Sequence, residues 1–145
     1  VKNYTSSVPA DVTVLRIEKV LVKYGASHIA KGYKDGEVVS LSFSIPMPPE
    51  GNPMRVNLPA NPAAVAKVLM DGRPPLSPVA RKRIEAQARR TAWRLMQDLV
   101  EVQLSMVEME QAEFVQIFLP YIEVGGKTFY ESLKAGGFKM LEAPK

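Results

Sequence analysis

Residues 34–46, KDGEVVSLSFSIP, decide the fold class. Val39, Leu41, Phe43 and Ile45 alternate with Ser40, Ser42 and Ser44, a period of two in which one strand face is buried and the other meets solvent. Asp35-Gly36, just upstream, suits the positive φ angles of a two-residue turn. The pattern therefore predicts an antiparallel hairpin pairing Ile29–Lys34 with Glu37–Ile45.

Downstream, PMPPEGNP (46–53) reads as a loop, because proline lacks the ladder donor. MRVNLP (54–59) then gives a short third strand with Val56 and Leu58 on one face. Upstream, DVTVLRIEKVLVKY (11–24) has Val14, Ile17, Leu21 and Tyr24 at helical spacing, Asp11 as the expected N-cap and Gly25 as the stop. Asn61-Pro62 and Ser77-Pro78 are each a cap residue followed by proline at the first helical position. The first starts a short helix ending near Asp71-Gly72, the second a long helix reaching about Glu110. Gln111–Leu119 reads as a short helix closed by Pro120, followed by a Gly-Gly turn and a last helical turn after Thr128. The sum is one α+β domain over residues 1–145: a three-stranded antiparallel sheet, hairpin plus one strand, packed against a long central helix and shorter helices.

The long helix carries two apolar stripes. Ile84, Ala88, Ala92, Leu95, Leu99, Val102 and Met106 form one; Trp93, Met96, Val100, Leu104 and Val107 form the other. So broad an apolar surface predicts burial on two sides, by the sheet and EFVQIFLPYI (113–122) or by a partner chain. In the N-terminal part Lys82 and Arg89 replace the second stripe, which places the basic end of the helix outside the core.

Charge along this helix is lopsided. Arg81, Lys82, Arg83, Arg89, Arg90 and Arg94 face one acid, Glu85, within 81–94. From 97 to 126 there is no Lys or Arg, but there are Asp98, Glu101, Glu108, Glu110, Glu113 and Glu123. Cations at a helix start and acids at its end both oppose the macrodipole. An exposed basic end with free amide donors suits phosphates, and Trp93 is interleaved with the cations as in some single-strand binders. Against this, Arg94 can pair with Asp98 one turn on, and Arg90 shares the polar face with Glu101.

Catalytic constellations do not assemble. His28 is the only histidine and there is no cysteine, so no transition-metal site is expected. A Ser–His triad would need distant residues that the sequence does not flag, His28 reads as structural at the start of a strand, and no cofactor is expected. Ser40, Ser42 and Ser44 read as the outward face of a half-buried strand. Gly125-Gly126-Lys127-Thr128 resembles the tail of a phosphate-binding loop, but Tyr121 stands where the motif needs its first glycine. Glu108 and Glu110, two apart on a helix, cannot face each other as a dyad. No stretch is apolar enough to span a membrane and no secretory h-region opens the chain, so the expected location is the cytoplasm, with no membrane partner.

Taken together, KNYTSSVPA, LVKYGASHIAKGY, LSFSI, VNLPAN and QARRTAWRLMQDLVEVQLSMVEM…FLPYI resemble a group of small uncharacterised proteins of bacteriophages and prophages, over nearly the whole chain. The resemblance implies an accessory protein in the host-cell cytoplasm, acting in phage replication or in conflict with the host. It carries over no activity and no site residues.

The expected function is non-enzymatic binding of DNA or RNA. Arg81, Lys82, Arg83, Arg89, Arg90 and Arg94 would meet backbone phosphates, with Lys31 and Lys34 on the hairpin as additions. The alternative is a protein-interaction module, a homodimer or a host-factor binder, using the two-sided apolar helix. Two such helices laid antiparallel about a two-fold axis would set each basic half against the partner's acidic half.

Overall fold

Three strands in the order β1-β2-β3 form the sheet that organises the chain: β1 (His28–Lys34), β2 (Glu37–Met47) and β3 (Gly51–Pro59), all antiparallel. A computed structural model describes residues 6–47 and 51–144. Five helices accompany the sheet: α1 (Ala10–Lys23), α2 (Pro62–Met70), α3 (Pro78–Glu108), α4 (Phe114–Phe118) and α5 (Phe129–Ala135). A second, two-stranded sheet joins β4 (Glu123–Val124) to β5 (Lys127–Thr128). The architecture is the expected α+β arrangement around a long helix.

The hairpin turns where Asp35 and Gly36 adopt φ of 52° and 78°. Its register changes between Gly32 and Tyr33: Gly32 faces Ser40, whereas Tyr33 faces Val38. Val39 is thus an extra residue in β2, a β-bulge. The bulge corrects the alternation expected from sequence. Leu41 and Phe43 do face the core, but Val38, not Val39, completes their side: Val38 is 6% exposed and Val39 38%. Val38→Asp is therefore expected to lose about 2 kcal/mol of burial and to strand a carboxylate as well. Val39→Asp should stay within about 1 kcal/mol of the parent. Thermal melts of the two variants decide between the phases, since strict alternation demands the opposite order.

The proline-rich segment is a second correction. β2 runs on through Pro46 to Met47, and β3 begins at Gly51 and includes Pro53. Both prolines sit where a missing donor does least harm. Pro46 falls at the register shift between Ile45 and Met47, and Pro53 lies on a strand with a free edge at that end. Residues 48–50 of that segment lie outside the described residues.

One sheet face packs the helices. Leu41, Phe43, Val56 and Leu58 share a buried cluster with Val14, Ile17 and Leu21 of α1, with Trp93, Val100 and Leu104 of α3, and with Phe118. Phe43 meets Phe114 and Phe118 edge-on, with ring centroids 6.3 and 6.0 Å apart. On the other face Ala30, Ser42 and Asn57 form one cross-strand row. Ser40 and Ser44 are half-buried there, but Ser42, expected at the surface, is buried with its hydroxyl 3.5 Å from Asn57 Oδ1.

Helix ends follow the expected chemistry with one exception. Asn61 and Ser77 cap α2 and α3 by accepting from the amides of Ala64 and Ala80. Thr128 and Glu131 form a reciprocal capping box at α5. The cap of α1 is Pro9, with no side-chain hydrogen bond, and Asp11 lies inside the first turn instead. The C-terminal short helix is Phe114–Phe118, after which a 3₁₀ turn, Leu119–Tyr121, holds Pro120. Gly125 and Gly126, at φ of 63° and 85°, make the tight turn between β4 and β5, which is the role of the Gly-Gly-Lys-Thr stretch.

Candidate nucleic-acid interface

α3 spans 31 residues, and its first buried side chain is Ala88. The turns before Ala88 carry Arg81, Lys82 and Arg83, all exposed. Among the described residues none of these three makes an ion pair. They begin one turn after the Ser77 cap, and no acid lies in the first turn. Cationic charge is thus concentrated at the positive end of the helix dipole, where nothing in the same turn neutralises it.

The other three helix cations are placed differently, and each is half-buried. Arg89 Nε lies 3.5 Å from Glu37 Oε2, at the foot of the hairpin. Arg90 donates from Nε to the Ser6 carbonyl at 3.0 Å and from Nη2 to Gln87 Oε1 at 2.6 Å. Gln87 in turn donates to the same Ser6 carbonyl at 3.1 Å, so the pair ties the N-terminal segment to α3. Arg94 Nε sits 3.5 Å from Asp98 Oδ1, the one-turn pairing visible in the sequence.

On the hairpin, Lys31 Nζ is 3.1 Å from Glu18 Oε1 of α1, a contact that raises the lysine pKa above its ordinary value. Lys34 is exposed beside the turn. The structure thus separates an available trio, Arg81–Arg83, from Arg89, Arg90, Arg94 and Lys31, which have partners within the chain.

Trp93 offers no stacking platform. It is fully buried, and its indole N–H donates to the Val38 carbonyl at 3.3 Å. The acidic half of α3 is partly spoken for as well. Gln97 Nε2 donates to Glu101 Oε1 at 2.9 Å, in place of an Arg90–Glu101 contact. The Tyr24 hydroxyl donates to Glu108 Oε2 at 2.5 Å, which raises the phenol pKa.

His28 is exposed at the start of β1, with Nδ1 3.1 Å from Ser27 Oγ. Among the described residues no group of three or more His, Cys, Asp or Glu side chains is arranged to hold a metal ion, and no helix is long and apolar enough to cross a membrane. In comparisons with known proteins, no family model, no curated protein and no solved structure matches the chain.

Two concavities flank Arg89, and sequence periodicity did not foretell either. One, of about 470 Å³, lies between the start of α1, the hairpin turn and α3, and is lined by Asp11, Lys31, Tyr33, Glu37 and Arg90. The other, of about 760 Å³, lies between α2, the start of α3 and the β2 bulge. Its signal was the bulge itself, which a regular alternation hides.

Proposed function

We propose that the protein is a non-enzymatic, phage-type accessory protein that binds nucleic acid through the N-terminal end of α3 and works in the cytoplasm of the host cell. One observation carries this reading: Arg81, Lys82 and Arg83 are consecutive, exposed and without ion pairs among the described residues, beyond the point where α3 leaves the core. Cations held this way contact phosphates rather than base edges, so sequence preference should be weak. Lys34 adds charge from the hairpin, while Arg89, Arg90, Arg94 and Lys31 contribute only as far as they leave their internal partners.

The test is the salt dependence of binding to labelled DNA and RNA, single- and double-stranded. Replacing Arg81, Lys82 and Arg83 together by alanine should lower the log–log salt slope on duplex DNA by about 2–3, at roughly 0.9 per phosphate contact. The variant should keep the parent's melting temperature, since all three side chains are exposed. Micromolar protein that binds none of these nucleic acids in about 50 mM salt would remove the reading.

A further inference from the structure

The larger concavity has an apolar floor of Val39, Ala63, Ala66 and Met70, with Lys67 and Arg81 on its rim. Val39 reaches it only because the β-bulge turns this side chain away from the core. Arg89 also lines the groove but is paired with Glu37, and Asp71 and Glu85 offset Lys67 and Arg81. The positive character here therefore comes from the exposed Arg81, Lys82 and Arg83 at the start of α3.

The opposite end of α3 has the complementary character. Leu95 and Leu99 are half-buried beside α2, where they line a shallow concavity, and the stripe continues beyond it. Val102, Met106 and Met109, at spacings of four and three, are 58%, 38% and 69% exposed. Glu108 and Glu110 flank them, and no Lys or Arg occurs from 97 to 126. The last turn of α3 has no basic residue and its first turn no acidic one. Both ends therefore lack the counter-charge that the helix dipole favours.

We infer that the occupant of the groove is a second copy of this chain: in a two-fold pair, the acidic, methionine-bearing end of each α3 docks in the groove beside the basic end of the other. Groove and helix end are about 30 Å apart along α3, at 1.5 Å per residue. A two-fold axis between them uses the groove-to-helix-end contact twice and closes the assembly. Each adverse helix end then meets opposite charge from its partner, and the exposed Val39, Met106 and Met109 leave water together. The pairing does not rest on the nucleic-acid reading. It shares Arg81 with that reading, so bound nucleic acid and the partner's acidic end would compete at the groove rim. The residues that test the pairing, Lys67 and Glu110, lie outside the Arg81–Arg83 trio.

Sedimentation equilibrium on the full chain, from low micromolar to near-millimolar concentration, tests it. The parent should form a dimer that weakens with salt, and Met106→Glu and Ala63→Glu should each weaken it by about tenfold or more. Lys67→Glu and Glu110→Lys, both at exposed positions, should each self-associate poorly. An equimolar mixture of the two should recover the parental affinity. In the mixed pair one contact joins the two substituted side chains, with their charges exchanged, and the other keeps the original Lys67 and Glu110. Circular dichroism melts establish that each variant is folded. A parent that stays monomeric throughout, one that builds open-ended oligomers, or a dimer indifferent to these changes would overturn the pairing.

Discussion

Trp93→Ala is expected to lower the free energy of unfolding by about 3–5 kcal/mol, a large share of the roughly 5–15 kcal/mol available to a domain. Trp93 is the largest fully buried side chain, in the same cluster as Leu41, Phe43 and Leu58 of the sheet and Ile17 of α1. Its removal leaves a void that three elements would have to collapse to fill. The indole N–H also satisfies the Val38 carbonyl, at the strand position next to the bulge. Trp93→Phe separates the two contributions. It keeps most of the packing but takes away the donor, at a cost of about 1–3 kcal/mol. Urea titrations followed by far-ultraviolet circular dichroism should show the midpoint falling in the order parent, Phe, Ala with an unchanged m-value. A Trp93→Ala variant within about 1 kcal/mol of the parent, the cost of an average point mutation, would mean that the indole is not packed as described.

The hairpin was legible in the sequence because two local signals agree, the Asp35-Gly36 turn and the alternation after it. The inward phase of its first residues was not. Val38 and Val39 are both valine, so composition cannot tell which one faces the core, and only the register shift from Gly32–Ser40 to Tyr33–Val38 fixes it. Proline misled in the other direction. A missing donor forbids proline in an unbroken central ladder, but a bulge or a free edge removes the conflict, and Pro46 and Pro53 occupy such places. Caps read well where side chain and proline reinforce each other, at Asn61-Pro62 and Ser77-Pro78, and poorly at Asp11, where Pro9 already ends the extended chain.

For the candidate interface the residue types were legible and their partners mostly were not. Arg94–Asp98 follows from helical spacing alone. Arg89–Glu37 and the Arg90–Ser6 hydrogen bond join residues 52 and 84 positions apart, which only the packing of α1, the hairpin and α3 brings together. Two long-range partners and the local Arg94–Asp98 pair together narrow six helix cations to three available ones. Periodicity likewise defined two apolar stripes on α3 but not their destinations. Val100 and Leu104 of one are in the sheet-facing core, and the other is partly covered as far as Leu99 and then left open.

That division of α3 predicts opposite outcomes for two neighbouring substitutions. Leu104 is buried in the core, whereas Met106, two residues on, lies on the open stripe. Leu104→Glu should cost about 4 kcal/mol or more, combining lost apolar burial with a carboxylate that has no partner in the core. The loss should depend on pH in a defined sense. Burial disfavours the charged form, so the carboxyl pKa is higher folded than unfolded. The penalty is then smallest below the unfolded value of about 4.3 and grows as the pH rises through the folded one. Urea midpoints for Leu104→Glu, each referred to the parent at the same pH, should therefore lie closer to the parent's near pH 4 than near pH 7. At concentrations where the parent is monomeric, Met106→Glu should melt with it at both pH values, to within about 0.5 kcal/mol, and show its effect only in association. Leu104→Glu cannot serve as a test of pairing, because it destabilises the monomer itself. A Leu104→Glu chain that is monomeric and melts with the parent would instead place the second stripe at a subunit interface and reverse the assignment of the two faces.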